Sequence, residues 1–81
     1  MDRKMVKFIQ EQYPPGTRIR LNSMSDPYSP VPSGTEGIVD LVDDAGSIHM
    51  KWDNGRTLAI VPGEDSFTVL PPKLETLKLY M

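Results

Sequence analysis

The sequence predicts a mainly β protein, a small five-stranded barrel preceded by one N-terminal α-helix. Three observations predict it. Apolar residues recur at helical spacing only near the start, over residues 2–12, and then switch to the two-residue period of half-buried strands. Turn chemistry built from Gly, Asn, Asp and Pro separates those strands at short intervals. The chain has 81 residues and no cysteine, so it makes one small domain without disulfide staples. Closing its sheet would remove edges that so small a protein could otherwise leave open.

Residues 2–12 read as a helix because Met5, Phe8, Ile9 and Gln12 fall at i, i+3, i+4 and i+7, with Asp2 placed to cap the start. Pro14-Pro15-Gly16 stops it. A helix this short is marginal alone, so the Met5/Phe8/Ile9 stripe is expected to dock on the rest of the domain, with a partner as the alternative. Thr17-Arg18-Ile19-Arg20-Leu21 then alternates, placing Ile19 and Leu21 inward and Arg18 and Arg20 outward. Residues 22–34 hold three prolines and four serines around Met24, Tyr28 and Val31, a loop long enough to be either functional or disordered.

The second strand is expected at residues 35–42, followed by a turn at Asp43-Asp44-Ala45-Gly46. Residues 47–52 alternate again, with Ile48, Met50 and Trp52 on one face and His49 and Lys51 on the other. Asp53-Asn54-Gly55 is a hairpin signal, from which residues 56–61 should return as a fourth strand with Leu58 and Ile60 inward. A turn at Val61-Pro62-Gly63-Glu64-Asp65 leads to a fifth strand at 66–70. Short strands, tight turns and one long loop after the first strand define an SH3-like layout. The chain thus divides into a helix (1–13) packed on a barrel (14–70), with a tail (71–81) that could form a helical turn or two, an extended arm or a frayed end.

Composition narrows the function classes. The formal charge is −2, but residues 1–20 carry +3, residues 21–70 carry −6 and residues 71–81 carry +1. That balance gives no general nucleic-acid footprint. No apolar run approaches the roughly 18 residues that span a bilayer, and the N-terminus lacks a signal-peptide core. The expectation is a soluble, cytoplasmic protein with no membrane partner.

The run Gly34-Thr35-Glu36-Gly37-Ile38-Val39, with Ile48-His49-Met50-Lys51-Trp52-Asp53-Asn54-Gly55, resembles a hairpin of SH3-like barrels, including KOW modules. Together with Pro15-Gly16-Thr17-Arg18-Ile19 and Met24-x-Asp26, it is similar to an uncharacterised family of short bacterial proteins with a Gly-Thr-Arg-Ile motif. That resemblance covers about residues 13–70. It implies a phage, plasmid or conjugative-element setting and carries no catalytic residues with it.

Signals for catalysis are thin. His49 is the sole histidine, and no serine sits in a nucleophile-elbow sequence that could use it. Its face of the strand favours a solvent-facing structural role. Zinc would need His or Cys partners that are absent, and Asp40, Asp43 and Asp44 lack calcium-loop spacing. Gly34-Thr35-Glu36-Gly37 is a poor phosphate clamp because Glu36 would repel phosphate, so its glycines are better read as shaping a tight start to the strand. The reading is a non-enzymatic protein without cofactor or metal.

Binding surfaces remain. An SH3-like arrangement would bring Met24, Tyr28, Pro30 and Pro32 of the long loop near Trp52, Asn54 and Arg56, with Asp26 a further candidate for binding and Arg3, Lys4, Lys7, Arg18 and Arg20 as a local basic face. Trp52 is read first as core, since it shares a face with Ile48 and Met50, and as a binding aromatic second. Tyr28, between prolines, is the stronger contact candidate. The leading reading is a protein-interaction module. The alternatives are a nucleic-acid accessory barrel using the basic face, and a counter-defence protein whose acidic segment imitates nucleic acid or whose loop holds a small ligand.

Overall fold

The computed structural model describes residues 2–71; the tail beyond them and Met1 lie outside the described residues. Helix α1 (Arg3–Gln12) precedes four strands, β1 (Arg18–Ser23), β2 (Glu36–Val42), β3 (Ile48–Trp52) and β4 (Ser66–Val69). The strands form one open antiparallel sheet in the order β3-β2-β1-β4. The protein is therefore mainly β with one short helix, and the pattern that set the strands is the expected alternation: Ile19 and Leu21 are fully buried while Arg20 is exposed.

Asp2 caps α1 as anticipated, its Oδ1 accepting the Met5 N–H at 2.8 Å. The buried face of the helix is not the expected one. Val6 and Ile9 are buried, whereas Met5 and Phe8 are 49% and 56% exposed. Two contacts fix this rotation: Gln10 Nε2 donates to the Val42 carbonyl at 3.2 Å, and Tyr13 meets Phe67 edge-on with ring centroids 5.4 Å apart. They turn the Val6/Ile9 line onto the sheet and leave Met5 and Phe8 beside it.

Residues 56–61 were expected as a strand and form none. Trp52 N–H donates to the Arg56 carbonyl at 2.9 Å, and Ile48 and Ile60 exchange N–H to carbonyl bonds at 2.8 Å, two rungs that fit one antiparallel register. Between them the Leu58 carbonyl accepts the Trp52 indole N–H at 2.8 Å. The side chain thus takes an acceptor that a continuous ladder would use, and the pairing is left as a one-way bond at Arg56 and a two-way bridge at Ile60. The expected inward residues still point inward: Ile60 is fully buried and Leu58 packs on the core.

The core gathers Ile9, Ile19, Leu21, Val31, Val39, Ile48, Met50, Trp52 and Ile60. Trp52 is 3% exposed and belongs to it. Gly37 lets β2 and β3 close together beneath that indole, since a Cβ there would lie 2.6 Å from the Lys51 carbonyl oxygen and 2.8 Å from Trp52 Cα.

The β2–β3 turn is organised by Asp43. Its Oδ1 accepts the Ala45 and Ser47 N–H groups at 2.9 and 3.0 Å, and its Oδ2 lies 2.7 Å from His49 Nε2. His49 is thus a half-exposed structural residue tied to the turn. The His49 hydrogen bond, then the Ser47 N–H, hold the Asp43 carboxyl below its ordinary value of 3.8. A carboxyl lowered by folding contributes stability above its unfolded pKa and loses it as pH falls through the folded one. Thermal melts should therefore show the advantage of the wild type over Asp43→Asn shrinking as pH is lowered from about 5 toward about 2. A constant difference across that range would exclude this linkage.

Candidate functional site

The long loop between β1 and β2 is an ordered structure pinned to the body at several points. Ser25 donates from both its N–H and its Oγ to Asp65 Oδ1, at 2.8 and 3.2 Å. Val31 is 2% exposed and plugs the core. The Gly34 N–H donates to the Leu21 carbonyl at 2.7 Å, closing the loop onto β1. Each pin removes freedom that an unattached segment of this composition would keep.

Between the pins the chain turns on Asp26, whose Oδ1 accepts the Tyr28 N–H at 2.8 Å and the Ser29 N–H at 3.4 Å. Such an Asx turn orders the backbone at Tyr28 and Ser29. Tyr28 is 93% exposed. From the other flank Arg56 Nη2 donates to the Ser29 carbonyl at 2.5 Å, while Asn54 Oδ1 accepts the Arg56 N–H at 3.0 Å and shapes the hairpin tip. The structure thus brings Asp26, Tyr28, Asn54 and Arg56 into one connected arrangement.

A groove of about 360 Å³ runs beside this loop. Met24 and Pro27 line it from the loop, facing Leu58, Ala59 and Val61 of the returning segment. Asp26, Glu64 and Asp65 complete its lining. Asp65 is committed to structure, since Oδ2 also accepts the Val61 N–H at 2.8 Å. This second wall went unrecognised in the sequence, where 58–65 read as strand and turn. The acidic pair Glu64-Asp65 after Pro62-Gly63 was the available signal, but its link to Ser25 spans 40 residues.

Arg18 and Arg20 do not join this site. Arg18 Nη2 lies 3.0 Å from Glu36 Oε1 and 3.2 Å from Asp53 Oδ2, and its side chain is only 10% exposed. The Asp53 hydrogen bond, more than any other influence, pushes its pKa above the ordinary value. The guanidinium is enclosed by carboxylates on the outer face of the sheet, where Lys51 also lies 3.7 Å from Asp40. Arg20 is exposed on the same strand, opposite Glu36 in register. The basic strand face expected from the sequence is therefore neutralised at Arg18.

Two features of α1 stand apart from the groove. Arg3, Lys4 and Lys7 are exposed, and Arg3 and Lys7 line, with Val6, Gln10 and Asp44, a second cavity of about 530 Å³. Met5 and Phe8 form a small apolar patch with Asp2 and Lys4 at its border. Among the described residues no group of three or more His, Cys, Asp or Glu side chains could hold a metal ion. No described helix is long and apolar enough to cross a membrane.

The fold and this groove define a class only in structural terms, a helix-capped small β domain with a hydrogen-bonded loop beside an open cleft. The family model described as a domain of unknown function (DUF4314) matches residues 2–70. The chain belongs to that family, and the match takes in every described element and both walls of the groove. No curated protein and no solved structure gives a match.

Proposed function

We propose that this protein is a non-enzymatic binding module that takes a protein segment into the groove between the long loop and residues 58–65. The observation that carries the proposal is Tyr28, an aromatic 93% exposed on a loop ordered by an Asx turn and the Arg56 contact, next in the chain to Pro27 of the groove lining. An exposed ring on a pre-ordered loop loses little entropy on binding, which makes it suited to anchor a partner. Binding without catalysis is supported by His49, whose imidazole is engaged by Asp43 at a turn.

The finer SH3-like barrel is part of this proposal. It is supported by the Ile48–Ile60 bridge, which keeps the register of the expected fourth strand. The resemblance to short bacterial proteins with a Gly-Thr-Arg-Ile motif supports a mobile-element or phage setting, and the lack of cysteine fits a cytoplasmic one.

A second reading, a nucleic-acid accessory role, rests on exposed Arg3, Lys4 and Lys7 of α1. The two separate through Tyr28→Ala and a salt series. The variant should melt within a few degrees of the wild type, because nothing packs over the ring, and bind peptides selected from a displayed random library about tenfold more weakly. Intact peptide binding by the variant would refute the role of Tyr28. Tight binding of single-stranded oligonucleotide that falls steeply with added salt would favour the second reading.

A further inference from the structure

The groove differs from an ordinary apolar cleft in its charge. Its floor is Met24, Leu58 and Val61, and its carboxylates are Asp26, Glu64 and Asp65, with no cation in the lining. Elsewhere on the sheet Glu36 and Asp53 pair with Arg18 and Asp40 with Lys51, and Asp43 is hydrogen-bonded to His49, while Asp44 at the β2–β3 turn lies in a lining it shares with Arg3 and Lys7. None of the three groove carboxylates has an ion-pair partner among the described residues.

Their remaining bonds divide the roles. Asp65 spends both oxygens on Ser25 and Val61. Asp26 uses Oδ1 for the Asx turn. Glu64 is exposed and makes no side-chain hydrogen bond among the described residues. Arg56, the cation on the far flank of the loop, is directed to the Ser29 carbonyl.

We infer that the occupant of the groove is a peptide segment of a partner protein that combines a lysine or arginine with apolar neighbours. This rests on the binding-module reading and names its partner chemistry. Apolar side chains would cover Met24, Leu58 and Val61, while the cation would sit between Glu64 and the open side of Asp26. Acidic segments are excluded by like charge, so the groove selects partners by sign as well as by shape.

The test is a displayed library of short random peptides selected against the wild type, Glu64→Gln and Glu64→Lys, with affinities of recovered peptides measured by fluorescence anisotropy. Glu64 is exposed, so both variants should fold, and a thermal melt confirms it. Peptides that pair Lys or Arg with apolar residues should be enriched on the wild type. They should bind Glu64→Gln about two- to fivefold more weakly, the range expected for an exposed ion pair, and should not be enriched on Glu64→Lys. Raising the salt concentration should narrow the difference between wild type and Glu64→Gln. If neutral or acidic peptides are enriched and perturb groove residues, the charge inference fails while the binding module stands. If no recovered peptide perturbs the groove, both fail together.

Discussion

Trp52→Ala should cost about 3–5 kcal/mol, the range for deleting a large buried aromatic. A single core this small supplies only about 3–5 kcal/mol, so the variant should be partly or wholly unfolded at room temperature. Two losses combine. The indole is 3% exposed within the central cluster, and its N–H is the donor that holds the Leu58 carbonyl at 2.8 Å. Trp52→Phe should fall between the wild type and alanine, because it refills most of the volume and leaves that carbonyl without its donor. Urea unfolding followed by circular dichroism measures both. An alanine variant with an unchanged midpoint would remove Trp52 from the core and unseat the packing described for the returning segment.

Gly37→Ala should destabilise by about 1–3 kcal/mol, the usual cost of forcing one methyl group into a closed site. The added Cβ would sit 2.6 Å from the Lys51 carbonyl oxygen and 2.8 Å from Trp52 Cα, both backbone atoms, and 3.0 Å from Trp52 Cε3. Backbone cannot rotate out of the way as a side chain can, so β2 and β3 must move apart where Gly37 pairs with Trp52. A double variant separates the two sources. If the clash is with backbone, Gly37→Ala will cost as much in a Trp52→Phe background as in the wild type; a much smaller cost there would place the conflict with the indole instead.

These two positions also mark how far sequence reasoning reaches. Alternation around Ile19, Leu21, Met50 and Trp52 located the strands to within a residue or two, because burial on one face imposes a period that tertiary context seldom overrides. The face of α1 was less legible. Met5, Phe8 and Ile9 on one hand and Val6 and Ile9 on the other both satisfy helical spacing, and the choice was made by Gln10 at Val42 and Tyr13 at Phe67. Those contacts lie far apart along the chain. Residues 56–61 show the same limit, since Leu58 and Ile60 alternate correctly while a side-chain bond from Trp52 decides which carbonyl joins the ladder.

The candidate site was legible on one wall. The length and Pro/Ser content of the loop, with Tyr28 at its centre, pointed to it directly. The opposite wall depends on Asp65 reaching Ser25, and Arg18 was misplaced because its partners Glu36 and Asp53 are 18 and 35 residues away. Charge counted along the sequence marks the acidic middle of the chain; only the fold distinguishes carboxylates neutralised on the sheet from those left unpaired beside the groove.

The most direct test of the central claim is where a bound peptide touches the protein, read from amide chemical-shift changes as a library-selected peptide is titrated into isotope-labelled wild type. The account predicts that the largest shifts fall on residues 24–29 and 58–65, with Arg3, Lys4 and Lys7 of α1 unmoved. Shifts confined to α1, or to the Met5 and Phe8 patch, would contradict it and assign the binding surface to the helix.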